Sequence, residues 1–217
     1  MIIYDHPQGS AEWLASRAGV ITASKFVEAR KRLKVGPKKG GFTEAAEDYA
    51  FRVAVERISG APLDEGFSTW AMKRGNELEP EARAWVEVKL GIFVDTAGFV
   101  TTDDKKFGAS ADGFIDKDGG LEIKCLVDPG RIRNVILSDD ISEFMDQIQG
   151  GMWLTGRKWW QFALFCPALE KVGLQLYTKR VERDDNYINE MELDLLEFER
   201  VVSKYEQTLR DRGLTQK

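Results

Sequence analysis

Residues 108–124 read Gly108-Ala-Ser110-Ala-Asp112-Gly-Phe-Ile-Asp-Lys-Asp118-Gly119-Gly120-Leu121-Glu122-Ile123-Lys124. Two short apolar runs flank Asp118-Gly119-Gly120, which predicts a β-hairpin with strands over Gly113–Ile115 and Leu121–Cys125. Side chains alternate along a strand, so Glu122 and Lys124 share one face while Leu121, Ile123 and Cys125 share the other. The apolar face belongs to a core, and charged residues in that setting are costly unless something pairs with them. Asp112 ends the preceding segment, where hairpin geometry can bring its carboxylate beside Glu122. Adjacent carboxylates repel, and a hard divalent cation such as Mg²⁺ relieves this while keeping several waters. A lysine next to such an ion can orient or deprotonate a bound water, a combination suited to in-line attack on a phosphodiester. The spacing alone is more often that of a turn Asp followed by a surface Glu–Lys pair.

Outward from the hairpin, β-like runs are expected at Ile92–Val94, Gly98–Thr101, Phe107–Ala109, Trp159–Phe165 and Leu174–Val181. Helices are expected from Ser10 to Arg17, capped by Ser10, from Thr22 toward Leu33, and from Thr43 to Gly60. Further helices are expected from Trp70 to Leu90, with a kink or restart at Pro80, and from Asp140 to Thr155, ended by Gly156. The final helix, Asp184 to Arg212, carries the cleanest stripe: Ile188, Met191, Leu195, Phe198, Val202, Tyr205 and Leu209. It is expected to pack on the protein's own sheet, with contact to another subunit as the alternative. The order predicts an α/β or α+β fold with an antiparallel-rich central sheet and a long C-terminal helix. No repeat, low-complexity tract or long linker interrupts the chain, so one domain is expected over residues 1–217.

Composition narrows the chemistry. The 217 residues are 43% hydrophobic and 11% aromatic, enough for a substantial core. No apolar run approaches the ~18 residues of a membrane span, and no secretory signal is visible, so the expected compartment is cytoplasmic. One histidine, His6, excludes multi-His metal sites, and two cysteines, Cys125 and Cys166, exclude a disulfide framework or an iron–sulfur cluster. Both cysteines are expected to be packing residues. Any catalysis must rest mainly on carboxylates, Lys and Arg. Net charge is −5, yet residues 1–60 carry ten Lys/Arg against seven Asp/Glu, and residues 182–217 carry six against ten. The densest basic stretch is Arg30–Lys39, read either as a solvated loop or as a phosphate-tracking arm.

Two more segments bear on the hairpin. In Arg17-Ala-Gly19-Val-Ile-Thr22-Ala-Ser24 a guanidinium precedes hydroxyls and free N–H groups at a helix start, a setting that favours a bound phosphate. In Arg74-Gly-Asn-Glu77-Leu-Glu79-Pro-Glu81 three acids alternate. On a helix they do not share one face, so at most one or two serve one site.

Arg17-x-Gly19-Val-Ile-Thr-Ala-Ser24, Gly75-x-x-x-Glu79, Ser110-x-Asp112-Gly, Leu121-Glu122-x-Lys124-Cys125 and Gln147-x-Gln149-x-x-Met152-Trp153 occur in that order. Together they resemble the phage-lambda-type alkaline exonucleases of the YqaJ-like viral recombinase family, within the restriction-endonuclease-like PD-(D/E)xK superfamily. The resemblance covers the chain from about residue 10 to the final helix. It implies a central mixed β-sheet flanked by helices. It further implies processive 5′→3′ digestion of linear double-stranded DNA, releasing mononucleotides and leaving a 3′ single strand. It implies a homotrimeric ring and a single-strand-annealing recombinase as partner. Residue by residue, Asp112, Glu122 and the Ile123 carbonyl resemble the ligands of Mg²⁺, with Mn²⁺ as a substitute, and Glu79 resembles the carboxylate for a second ion. Lys124 resembles the residue that positions or activates water. Arg17, Ser24, Ser110 and Gln147 resemble the pocket for the DNA 5′-phosphate. Met72 falls where the family has an apolar wedge, here Met rather than Leu. Ala111 stands where the superfamily signature has Pro.

Three other readings are compatible with parts of the sequence. A restriction-type endonuclease or junction resolvase shares the Asp/Glu-x-Lys core but needs no 5′-phosphate pocket. A catalytically inactive DNA-binding protein would keep the fold as a relic. An interaction module built on the C-terminal stripe would leave the polar residues of the Leu121–Cys125 strand unexplained.

Overall fold

The computed structural model describes residues 1–63 and 70–215, apart from the side chain of Met72. The chain divides into two compact units. The first takes Met1–Glu65, Gly98–Ala109 and Asp184–Lys217; the second takes Gly66–Ala97 and Ser110–Arg183.

The first unit opens with β1 (Ile2–Tyr4), α1 (Ala11–Arg17), β2 (Ile21–Thr22), α2 (Phe26–Ala29) and α3 (Glu44–Ser59). It continues with β3 (Phe99–Thr101), β4 (Phe107–Ser110, whose last residue falls to the second unit) and the closing helix α7 (Asp185–Thr215). Its four strands are ordered β1-β3-β4-β2, with β1 antiparallel to β3 and β2 parallel to β4. Ser10 and Thr43 cap α1 and α3 as expected, each side-chain oxygen accepting the N–H three residues on. Thr22 does not open a helix reaching Leu33. Its N–H goes to the Tyr49 hydroxyl at 3.2 Å and its hydroxyl sits 3.3 Å from that of Ser24. One 3₁₀ turn, Ala23–Lys25, and the four-residue α2 come after it. The apolar stripe of α7 is buried from Ile188 to Val202, and the helix packs along α3. Phe198 stacks on Tyr49 at 5.6 Å between ring centres, and Tyr205 meets Phe51 edge-on at 5.5 Å.

The second unit holds α4 (Trp70–Leu90), β5 (Gly113–Ile115), β6 (Gly119–Lys124), α5 (Pro129–Ser138), α6 (Met145–Thr155), β7 (Trp159–Phe165) and β8 (Leu176–Glu182). Its sheet runs β5-β6-β7-β8, with only the central pair β6–β7 parallel. One face packs Leu121, Ile123, Ala163 and Phe165 against Ala82 and Val86 of α4. The other packs Phe162, Leu164 and Trp160 against α5 and α6 through Val135, Ile148 and Met152. Two mixed sheets with flanking helices and a long C-terminal helix realise the α/β class expected from the sequence, with the strands shared between two sheets. None of the helices among the described residues is long and apolar enough to cross a membrane.

Several boundaries differ from expectation for local reasons. Ile92–Val94 is not a strand, because the Glu87 carboxylate takes the Val94 N–H at 2.9 Å and only Asp95 bridges to Phe114. The hairpin turn falls at residues 116–118, since Ile115 already faces Gly119. Gly119 and Gly120 serve instead for close approach: a Cβ there would lie 2.2 Å from the Trp159 ring and 2.4 Å from the Trp160 ring. The helix expected from Asp140 starts at Met145, after a 3₁₀ turn over Ser142–Phe144. Helix α4 continues through Pro80 without a restart. Residues 174–175 precede β8, since the Leu174 N–H turns back to the Leu169 carbonyl. Helix α5 and strand β1 are additions to the elements expected from the sequence; Asp128 as N-cap with Pro129 behind it is the local signal that marks α5.

Candidate active site

The hairpin β5–β6 builds the site in the second unit. Pairing puts Gly113 opposite Leu121, and the ladder extends one step further where the Asp112 N–H donates to the Leu121 carbonyl at 3.0 Å. The Asp112 Oδ2 then accepts the Ile123 N–H at 2.6 Å, which fixes the carboxylate against β6. Glu122 is buried, with 3% of its surface exposed, and shares its face of β6 with Lys124 as alternation requires. The Lys124 ammonium reaches the Glu122 Oε1 at 2.6 Å.

Helix α6 supplies the residue that ties the set together. Gln147 donates from Nε2 to the Glu122 Oε1 at 2.6 Å and accepts on Oε1 from the Lys124 Nζ at 2.9 Å. Both ends of its amide are therefore committed to the acid–lysine pair. Gln149, two residues on, is buried and donates to the Glu182 carbonyl. The Phe144 ring lies beneath two cations, with the Lys124 Nζ at 5.9 Å and the Arg131 Cζ at 5.3 Å from its centre. Ala111 fills core space beside this cluster.

Electrostatics marks the site as strained in charge. Burial raises the Asp112 carboxyl well above the usual range, and Glu122 and Glu79 push it further. Burial also raises Glu122; Lys124 opposes this and Glu79 adds to it. For Lys124 burial favours the neutral form, but the attraction of Glu122 and Asp112 wins and its pKa rises. Cys125, next along β6, is pushed up to about 11 by burial, so it is a thiol and no nucleophile at neutral pH. Of the three alternating acids on α4, Glu77 and Glu81 are exposed, while Glu79 is half-buried, ion-paired with Arg83 at 3.0 Å.

Among the described residues no three His, Cys, Asp or Glu side chains are placed to hold a metal ion together. The pair Asp112 and Glu122 nevertheless suits a hard cation. Both are oxygen donors whose charged forms are disfavoured by burial and by neighbouring carboxylates, and Mg²⁺ commonly takes one or two carboxylates with water completing its shell.

Four residues are expected at the 5′-phosphate. Arg17 and Ser24 lie in the first unit at the two ends of one short turn; Ser110 and Gln147 belong to the second. The Arg17 guanidinium stacks on the Trp13 ring at 4.2 Å and lies 5.1 Å from the Phe99 ring centre, and burial pulls its pKa down to about 10. Ser24 is exposed. The side chain of Met72, the expected wedge, lies outside the described residues. In the basic stretch, Arg30 and Arg32 are committed to Asp194 and Glu197 of α7, whereas Lys31, Lys34, Lys38 and Lys39 are exposed.

The hairpin thus carries Asp112, Glu122 and Lys124 on a mixed sheet covered by helices. Residues 12–158 match the model of the YqaJ-like viral recombinase domain, and the chain belongs to that family. The fold is similar to that of the alkaline exonuclease LHK-Exo from Laribacter hongkongensis, with a TM-score of 0.81 at 28% identity, covering 96% of this chain and 100% of that one. The complex of LHK-Exo with dAMP superposes at a TM-score of 0.83, with the same identity and coverage. A phage-related exonuclease from Haemophilus somnus 129PT shares the fold, with a TM-score of 0.68 at 18% identity over 89% of this chain and 96% of its own. Among curated proteins no match to the sequence is found.

Proposed function

We propose that residues 1–217 form one exonuclease domain that digests linear double-stranded DNA processively from the 5′ end, releasing 5′-mononucleotides and leaving a 3′ single strand. The observation that carries this reading is the buried Glu122 held by the half-buried Lys124 and Gln147 beside Asp112, in a chain whose fold is similar to that of LHK-Exo, an alkaline exonuclease solved in complex with dAMP.

Asp112, Glu122 and the Ile123 carbonyl would hold a divalent cation, Mg²⁺ with Mn²⁺ as substitute, and Glu79 would serve a second. Bound there, the ions would supply charge neutralisation for the phosphodiester and a more acidic water. The chain's own residues do the rest. Lys124, kept protonated by the neighbouring acids, donates to and orients the attacking water or the scissile phosphate. Gln147 holds Lys124 and Glu122 at fixed separation, so the ammonium is aimed before substrate arrives. We assign recognition of the 5′-phosphate to Arg17 and Ser24, with Ser110 and Gln147 given the same role on the family resemblance; for Gln147 this requires release of one of its two present partners. A homotrimer and a single-strand-annealing recombinase complete the proposal as partners.

The test is digestion of linear duplex DNA with Mg²⁺, comparing 5′-phosphate with 5′-hydroxyl ends and a closed circle, with Lys124→Ala as control. Mononucleotides from phosphorylated linear DNA only, with an inert variant, support the reading. Cutting of the circle makes the protein an endonuclease of the same superfamily. No metal-dependent cutting leaves a DNA-binding protein.

A further inference from the structure

The Arg17–Ser24 turn is held by residues far from it in sequence. Helix α3 grips its backbone from one face at two points, through residues seven and eight apart. At Gly19, Glu56 and Arg57 take both polar groups: the N–H donates to the Glu56 Oε2 at 3.0 Å, and the carbonyl accepts from the Arg57 Nε at 2.8 Å. At Thr22, the Tyr49 hydroxyl accepts the N–H at 3.2 Å. The fit at Gly19 is close. With φ at +72°, an added Cβ would come 2.7 Å from the Arg57 Cγ and 3.0 Å from its backbone nitrogen.

The grips are themselves braced. Both terminal nitrogens of Arg57 are held by Glu199 of α7, at 3.0 and 2.8 Å. Glu199 also accepts from Ser203 at 2.9 Å and lies 3.4 Å from the Lys106 ammonium. The second oxygen of Glu56 takes the Arg52 Nε at 3.0 Å and the Leu63 N–H at 3.2 Å. The Tyr49 ring is stacked on Phe198. A buried ion pair is a poor device for stability alone, because desolvation offsets most of the attraction. Here each buried polar group ends on the backbone between Arg17 and Ser24, or on a group that does.

We infer that Tyr49, Arg57 and Glu199 are positioning residues for 5′-phosphate recognition: they set the turn that carries Arg17 and Ser24 without touching DNA. The inference rests on the reading that Arg17 and Ser24 contact the 5′-phosphate. A pocket for a tetrahedral oxyanion depends on donor placement to a fraction of an ångström, so loosening the turn weakens recognition of the phosphate selectively.

The experiment measures kcat and KM on duplexes that differ only in a 5′-phosphate or a 5′-hydroxyl, for the unaltered protein, Tyr49→Phe, Arg57→Lys and Glu199→Gln. Tyr49→Phe keeps the ring and removes only the hydroxyl acceptor, so it carries the test if either charge variant fails to fold, as judged by near-UV circular dichroism. The expected result is a preference for phosphorylated ends that falls about tenfold, expressed mainly in KM for those ends. If the unaltered protein prefers phosphorylated ends and the folded variants keep that preference, the inference fails while the phosphate reading stands. Equal losses on both kinds of end make the three residues merely structural and also overturn it. If the unaltered protein has no preference, the phosphate reading itself fails, and the inference with it.

Discussion

The two units bury acidic side chains in opposite ways. In the first, Glu56 and Glu199 meet more donors than they have charge. Glu199 alone takes both ends of Arg57, the Ser203 hydroxyl and a nearby Lys106. In the second, Asp112 and Glu122 lie within each other's repulsion and that of Glu79, with one ammonium, Lys124, pulling the other way. The first arrangement is complete and holds a backbone in place. The second is short of positive charge, which is the condition that a divalent cation and a polyanionic substrate resolve together. Buried charge thus serves as a brace in one unit and as an unmet demand in the other.

The sharpest way to break that contrast is Asp112→Asn. We expect activity to fall on the order of 10²–10⁴-fold, as for loss of a group acting in the transition state. We expect the metal-free protein to become more stable at neutral pH. The sign follows from the raised pKa: the folded state holds the Asp112 proton more tightly than the unfolded chain. That contribution is fully present below the ordinary carboxylate pKa, about 4, and is lost as pH rises through the folded value. Asn stays neutral throughout, so its gain should appear at pH 7 and vanish in acid. Thermal unfolding at both pH values measures it, and a loss of stability at pH 7 would contradict the charge deficit. Addition of Mg²⁺ should raise the midpoint of the unaltered protein more than that of the variant.

The matching change in the first unit is Glu199→Ala. It leaves the Arg57 guanidinium, 15% exposed, without its carboxylate. Breaking a buried pair from one side costs about 3–5 kcal/mol, which urea unfolding reads directly. A cost under about 1 kcal/mol would put this pair with ordinary surface ion pairs and dissolve the distinction between brace and demand.

Smaller in effect is Gly120→Ala, a change in neutral packing under the site. The new methyl would press on the buried Trp160 ring, 2.4 Å from its nearest atom, and overpacking of this kind costs about 1–3 kcal/mol. A neutral result in chemical denaturation would mean that the β6–β7 pair can part to admit it.

How much the sequence discloses depends on how local each cause is. Alternation puts Glu122 and Lys124 on one face, and the Asp112–Glu122 pairing needs only a hairpin. The Ser10 and Thr43 caps sit next to what they cap. Gln147, expected at a phosphate, is found holding Glu122, a residue 25 positions away on another element. Arg57 stands out in the sequence only by its helical spacing, because its partner Glu199 lies 142 residues on. Gly119 and Gly120 look like turn residues because the tryptophans that require them sit on β7, and parallel pairing has no local signature. Thr22 resembles Thr43 in sequence, a hydroxyl opening a stretch expected to be helical, yet its hydroxyl turns to Ser24 and makes no cap bond.

That last pair gives the smallest test. The Thr43 hydroxyl accepts the Ala46 N–H at 3.3 Å, while Thr22 makes no side-chain cap at all and shares its hydroxyl with Ser24. Replacement by Val keeps the methyl and the shape and removes only the oxygen. Thr43→Val should cost about 1 kcal/mol, the usual worth of an N-cap, and should show as loss of α3 helicity in marginal denaturant. Thr22→Val should cost less, because no helix N–H loses its acceptor, and any effect should appear instead in the preference for 5′-phosphorylated ends, through Ser24. Equal destabilisation by the two changes would mean that the Thr22 hydroxyl supports the 3₁₀ turn after all.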